Sequence, residues 1–381
     1  MAPAARSARA VPRGVARRAG RARRAPLVSA VAAGPSSSAQ DFAPCDPWHP
    51  VAPCSLTGLG MNQLEMLKAV STVVADTGDI NAMSRFGATD ATTNPSLLLR
   101  AASMPEYQGL VEGAVARARA APAHHGVGRP HAAAADELAV AFGCELLKAV
   151  PGRVSTEVDA TLAHDAQGSV ARAFELMESY ARAGFGPERV YIKLAATWAG
   201  VEACRQLEAA GVACNMTLMF SGAQAAACAD AGASLVSPFV GRILDWHVAR
   251  GESFPDPSAD PGVKFVRDVY THYKQKGYGT RVMAASFRNA GEVRELAGCD
   301  NITVAPALLE ELEASTEPLL CKLSPEVARA EPAVRFGTPR TGAWFYASHT
   351  EDEMAREKLD QGIEAFIKDQ NKLEEMISKM R

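Results

Sequence analysis

Eight short strand-like runs separated by helical segments set the tightest limit on what this chain can fold into. The runs are "TVVADT" (72–77), "DATTN" (90–94), "RVSTEVD" (153–159), "RVYIKLA" (189–195), "ACNMTLM" (213–219), "LVSPFV" (235–240), "RVMAASF" (281–287) and "NITVAP" (301–306). Helical patterns lie between most of them. "SVARAFELMESYARAG", "WAGVEACRQLEAAG" and "SGAQAAACADAG" have apolar positions at helical spacing and end on Gly184, Gly211 and Gly232, the usual left-handed cap residue. "NAGEVRELAG" (289–298) and a long segment at 353–380 complete the set. Eight strands alternating with helices predict an α/β fold, a parallel (β/α)8 TIM barrel over residues 71–381. An open doubly wound sheet would carry a glycine-rich first turn, and no strand here is followed by GxGxxG.

In such a barrel, alternate residues point inward, and those near the C-terminal strand ends form the site. That parity places Asp76, Thr92, Asn94, Ser155, Glu157, Lys193, Asn215, Thr217, Ser237, Phe239 and Ser286 on one face, with Arg242 and Arg288 at the rim. A barrel built only for stability fills this face with Val, Ile and Leu. A single buried Ser or Thr is ordinarily structural. A lysine, two carboxylates, two amides and two arginines converging on one end are costly to bury without a task.

Lys193, in the middle of "RVYIKLAATW", is the most demanding of them. An ammonium group there is either paired with a carboxylate for structure or kept for chemistry. Metal and phosphate-loop signatures are missing: there is no HExxH, no histidine on a strand, and no glycine-rich phosphate loop. The eight cysteines form no CxxC or zinc spacing, and read as reduced, mostly buried thiols of an intracellular protein, with Cys45 and Cys54 as a redox-sensitive alternative. His124, His125 and His131 cluster in a Gly/Pro-containing loop without a nearby carboxylate, which argues against a metal site. What remains is an inward lysine between two acids. That kit suits imine chemistry, in which an amine attacks a carbonyl and two acids move protons at two different atoms. Arg242 and Arg288 suit a phosphate.

The first forty residues differ from the rest, with eight arginines and no acid. That composition predicts a targeting peptide over 1–40, followed by a leader and first helix over 41–70. The small residues of "VSAVAA" favour a plastid over a mitochondrion. Taking those eight arginines from the formal charge of −3 leaves −11 on the remainder, so nothing suggests nucleic-acid binding. No apolar run approaches the ~18 residues of a membrane span.

"VVADTGD", "DATTNPSLLLRA", "VPGRVSTEVDA", "IKLAATW", "CNMTLMFS", "LVSPFVGRILDW", "VMAASFRN" and "LAGCD" resemble the transaldolase family through residues 71–320, and more loosely to the C-terminus. The resemblance is to the long branch of that family. It implies a class I aldolase barrel needing no metal and no organic cofactor. The implied reaction moves a dihydroxyacetone unit from sedoheptulose 7-phosphate to glyceraldehyde 3-phosphate, giving erythrose 4-phosphate and fructose 6-phosphate. It implies that Lys193 is the Schiff-base lysine and that Asp76 is the acid/base acting on the hydroxyl whose deprotonation drives C–C cleavage. Glu157 and Thr217 would position the water that carries protons during imine formation. Asn94, Asn215 and Ser237 would hold hydroxyls of the three-carbon unit, with Thr92 beside them. Arg242, Ser286 and Arg288 would receive phosphate, and Phe239 would help close the site. Implied partners are sugar phosphates, not nucleic acid or membrane, and a homodimer is compatible. Two departures are peripheral: Gly222 stands where the family usually has a larger residue, and residues 121–135 replace a more charged connection. An aldolase releasing free dihydroxyacetone needs the same lysine, and a non-catalytic regulatory barrel is the reading from another class.

Overall fold

The computed structural model describes residues 60–80, 85–120, 131–338 and 341–380. The arginine-rich segment, Cys45, Cys54, His124 and His125 lie outside the described residues. All eight predicted runs form strands: β1 (Thr72–Asp76), β2 (Asp90–Thr92), β3 (Val154–Glu157), β4 (Val190–Ala195), β5 (Cys214–Met219), β6 (Leu235–Pro238), β7 (Arg281–Ala284) and β8 (Asn301–Val304). They pair in parallel in chain order, and β8 returns to β1 through Thr72↔Asn301 and Val74↔Thr303, closing the barrel. The α/β barrel expected from the alternation is therefore the fold.

The two faces of the strands separate as their parity requires. Val73, Ala75, Val154, Ile192, Leu194, Met216, Val236, Val282 and Ile302 belong to the main core, packed with the surrounding helices. Val74, Tyr191, Leu235 and Met283 form a separate apolar plug inside the barrel. Fully burying one such side chain contributes about 1.5–3 kcal/mol, so a one-residue slip of a strand would reverse its faces at large cost. Above the plug, the next inward positions are Asp76, Lys193 and Ser237, two residues along from Val74, Tyr191 and Leu235.

Glycine ends the helices as expected. Gly184, Gly211, Gly232 and Gly298 all have positive φ just beyond Ala166–Arg182, Trp198–Ala209, Gly222–Asp230 and Ala290–Glu295. Gly222 has a packing role, because a Cβ there would lie 2.2 Å from the Phe336 ring. This chain fills with Phe336 the space that a larger residue would occupy.

The helix Glu353–Ser378 crosses the C-terminal ends of the strands. Its stripe Leu359, Ile363 and Phe366 packs with Leu218, Phe220, Phe239 and Ile243, while Leu373 and Ile377 join Leu98, Ala101, Leu138 and Phe142. No described helix is long and apolar enough to cross a membrane. The six described cysteines are free, and Cys204, Cys214, Cys228 and Cys299 are buried. Cys204, Glu208 and Cys214 bring potential ligand atoms within 4.8 Å of one another. Glu208 is already committed, accepting from the backbone N–H of Cys214 (2.8 Å) and Ser234 (2.6 Å) and from the Ser234 hydroxyl (3.0 Å).

Candidate active site

Register alone brings the central groups together. Lys193 on β4 is paired with Glu157 on β3 and Asn215 on β5, and Asp76 on β1 with Thr92 on β2. Lys193 is 4 % exposed. Its Nζ donates to the Thr93 carbonyl at 3.0 Å and lies 3.1 Å from Glu157 Oε2. That carboxylate oxygen has no well-aligned hydrogen bond, so the lysine holds it through charge. Burial raises the pKa of Glu157 and of Asp76, while Lys193 and Arg242 pull both down. Two carboxyls with raised affinity for protons thus flank one amine, a pattern suited to proton transfer.

A second cluster holds polar groups in a chain. Ser237 Oγ donates to Asn215 Oδ1 at 2.6 Å, and Asn215 Nδ2 donates to Ser155 Oγ at 3.1 Å. Thr92 Oγ1 and Thr217 Oγ1 are buried without a hydrogen-bond partner. So are Asn301 Oδ1 and Thr303 Oγ1 on β8, which sequence reasoning missed although the alternation in "NITV" carried the signal. A buried hydroxyl left unpaired costs about 1–3 kcal/mol, so Thr92 and Thr217 are suited to meeting the hydroxyls of a polyol. Asn301 and Thr303 instead pair in register with Met283 and Val74 of the apolar plug. Thr217 sits in a β-bulge, where register shifts between Met216 and Met219 and Leu218 takes a φ of 54°.

The rim differs from the sequence expectation in detail. Phe239 and Ser286 lie past the ends of β6 and β7 rather than on them. Phe239 is held by an isolated bridge to Ala285, and Ser286 has a φ of 65°. Asn94 also lies past its strand, and its side-chain oxygen caps the helix Pro95–Ala102 by accepting from Leu97 N at 3.0 Å. What it offers a ligand is therefore its amide Nδ2. Arg242 lies across two rings, its Cζ 5.0 Å from the Phe239 centroid and 5.5 Å from that of Phe366. Burial and the neighbouring Arg288 lower its pKa, but an arginine keeps its charge at neutral pH. Arg288 is more exposed and pairs with Asp245 at 2.6 Å, also donating to the Ser286 carbonyl at 3.0 Å.

Phe366, absent from the sequence expectation, roofs the site. Its ring centroid is 6.0 Å from Lys193 Nζ and it is 1 % exposed. Gly362, one turn earlier, lets the helix approach, since a Cβ there would lie 2.8 Å from Leu218 and 3.1 Å from Arg242. A cavity of about 310 Å³ lies elsewhere, lined by Lys264, Arg267 and Lys322 among others and by no residue of a strand.

A closed parallel barrel with a roofed lysine between two acids at its C-terminal mouth defines the class I aldolase type, in which an amine can bond reversibly to a carbonyl. The family model for transaldolase/fructose-6-phosphate aldolase matches residues 73–377. A transaldolase of Glaesserella parasuis serovar 5 is 50% identical over 319 residues, covering 83% of this chain and 99% of that protein. Transaldolases of Shewanella amazonensis (316 residues) and Yersinia pseudotuberculosis serotype O:3 (319 residues) are each 51% identical, covering 83% of this chain and 98% of the relative. The chain belongs to the transaldolase/fructose-6-phosphate aldolase family.

Proposed function

We propose that this chain is a transaldolase, a transferase that carries a dihydroxyacetone unit between sugar phosphates on Lys193. The observation that carries the reading is the amine of Lys193, roofed by Phe366 and 3.1 Å from Glu157. The amine adds to C2 of the ketose phosphate; water then leaves, with protons relayed between Glu157 and the Thr217 hydroxyl. Asp76 takes the proton from the C4 hydroxyl. The C3–C4 bond breaks, its electrons pass into the imine, and the aldose phosphate departs. The remaining enamine attacks the carbonyl carbon of an aldehyde acceptor, the new alkoxide regains a proton from Asp76, and water returns to free the lysine. Asn94, Asn215 and Ser237, with Thr92, are assigned to the hydroxyls of the three-carbon unit. Arg242 and Arg288, with Ser286, are assigned to the phosphate, where charge-assisted bonds are strongest. The test is transfer from fructose 6-phosphate to erythrose 4-phosphate by the purified protein; sedoheptulose 7-phosphate must form.

Release of free dihydroxyacetone would need water to protonate the enamine. The rings of Phe239 and Phe366 oppose this by keeping the site dry. Phe366→Leu keeps the core apolar but opens the roof, so dihydroxyacetone release relative to transfer is expected to rise several-fold. An unchanged ratio would remove Phe366 from this role.

The arginine-rich, acid-free residues 1–40 support import into a plastid in preference to a mitochondrion. Residues 1–40 fused to a fluorescent protein should direct it there in plant cells; diffuse cytosolic fluorescence would end the idea.

A further inference from the structure

The end of β5 is held in a strained shape by one buried amide that the chemistry above does not use. Between the pairs Met216↔Val236 and Met219↔Pro238, β5 runs one residue longer than β6, and Leu218 takes the left-handed φ of 54°. A leucine is strained there where a glycine would not be. The helix Gly222–Asp230 follows, and Gln224 in its first turn is 0 % exposed. Gln224 Oε1 accepts from the backbone N–H of Phe220 at 2.8 Å and of Ser221 at 3.0 Å. Its Nε2 donates to the carbonyls of Leu218 and Ala196, each at 3.0 Å. N–H groups on one side and carbonyls on the other fix which end of the amide is which. Ala196 N in turn donates to the Thr217 carbonyl at 2.8 Å. Gln224 thus joins the end of β4, just beyond Lys193, to the bulge that follows Thr217.

We propose that Gln224 is a positioning residue: by tying the Leu218 carbonyl to that of Ala196, its amide holds the bulge in the left-handed form and fixes the Thr217 hydroxyl for the water steps at Lys193. Thr217 Oγ1 is buried without a hydrogen-bond partner, so no bond of its own side chain sets its direction. Its backbone does, and that backbone is held by Ala196 N before the bulge and by Gln224 Nε2 within it. Bulges beside active sites re-aim single side chains, and a strained residue persists only where its surroundings over-determine it. Helix capping alone does not account for the amide. Its acceptor side completes a capping box with Ser221, whereas its donor side reaches beyond the helix to two strand ends. The inference rests on the transaldolase reading for the part given to Thr217.

Exchange of labelled oxygen from water into C2 of fructose 6-phosphate tests it, because that exchange reports imine formation and its reversal and needs no C–C cleavage. Gln224→Leu and Thr217→Ala should each lower the exchange rate at least about 10-fold. The double variant should lie within about 2-fold of Thr217→Ala alone, since both changes act through one hydroxyl. Affinity for inorganic phosphate, assigned to Arg242 and Arg288, should stay within about 2-fold of wild type in Gln224→Leu. Gln224→Glu covers the case in which Gln224→Leu does not fold. It keeps the shape and the bonds from Phe220 and Ser221, but a carboxyl has at most one proton to donate where the amide has two. It should slow exchange several-fold, and not in the Thr217→Ala background. Additive losses in the double variants would overturn the proposal. So would wild-type exchange in both Gln224 variants, or a matching loss of phosphate affinity. Failure of the transaldolase reading looks different, because the wild-type protein itself would then exchange no label.

Discussion

Lys193→Met should lower kcat by more than about 10⁴-fold, the scale on which removal of a covalent nucleophile acts, while the barrel still folds. The side chains are similar in length, so the space beneath Phe366 stays filled. The electrostatic consequence falls on Glu157, which loses the ammonium 3.1 Å away. An unpaired buried carboxylate would be costly, but Glu157 already has a raised pKa through burial and can take a proton instead. Without Lys193 its pKa rises further. A carboxyl raised in the folded state holds more protons there than in the unfolded chain, so stability falls as pH climbs above the unfolded value of about 4.3. The variant's melting temperature should therefore drop more steeply than that of wild type between pH 5 and pH 8. Thermal unfolding by circular dichroism at the two pH values reads this directly. Residual turnover within tenfold of wild type would remove Lys193 from the chemistry.

Asp76→Asn should separate the two halves of the reaction. The amide is isosteric and can hold a hydroxyl, but it cannot take up the proton released as the C3–C4 bond breaks. A positioned general base contributes 10²–10⁴-fold, so the cleavage rate should fall by about that factor. Formation of the imine relies on Glu157 and Thr217 in this account, so fructose 6-phosphate should still be trapped on Lys193 in the variant. Asp76 acts as a base in cleavage and must be ionised for it. Burial raises its pKa against the pull of Lys193 and Arg242. As pH falls through that raised value wild type should lose kcat/KM, at a higher pH than an ordinary carboxylate would dictate. Single-turnover rates across pH 4–9 test this; an acid limb that survives unchanged in Asp76→Asn belongs to another group.

Much of this architecture was open to reading from the chain because two periods are written into it. Alternation at period two placed Val73 and Ile192 against helices and Asp76, Glu157 and Lys193 inside, and the structure separates them in the same way. The glycines at 184, 211 and 232 marked helix ends, since few other residues accept the left-handed conformation cheaply. The roof was harder to see. The stripe Leu359, Ile363 and Phe366 says that the last helix packs on something, but not that it packs over Lys193, because nothing local encodes a contact between residues so far apart in the chain. Likewise the pairing of Arg288 with Asp245 joins the segment after β7 to the helix Val240–Val248. Ser286 at positive φ carried no glycine to announce it. Asn94 was the opposite case: an Asn before Pro is a helix-cap signal, and its role as a ligand candidate drew attention from its structural one.

The central claim is that Lys193 becomes covalently bonded to a ketose. Incubating the purified protein with fructose 6-phosphate and sodium borohydride, then digesting and mapping peptides by mass spectrometry, tests it most directly. The account predicts a reduced three-carbon adduct on the peptide containing "VYIKLAATW", located at Lys193 and absent when sugar is omitted. Loss of activity without that adduct, or an adduct on a different lysine, would contradict it.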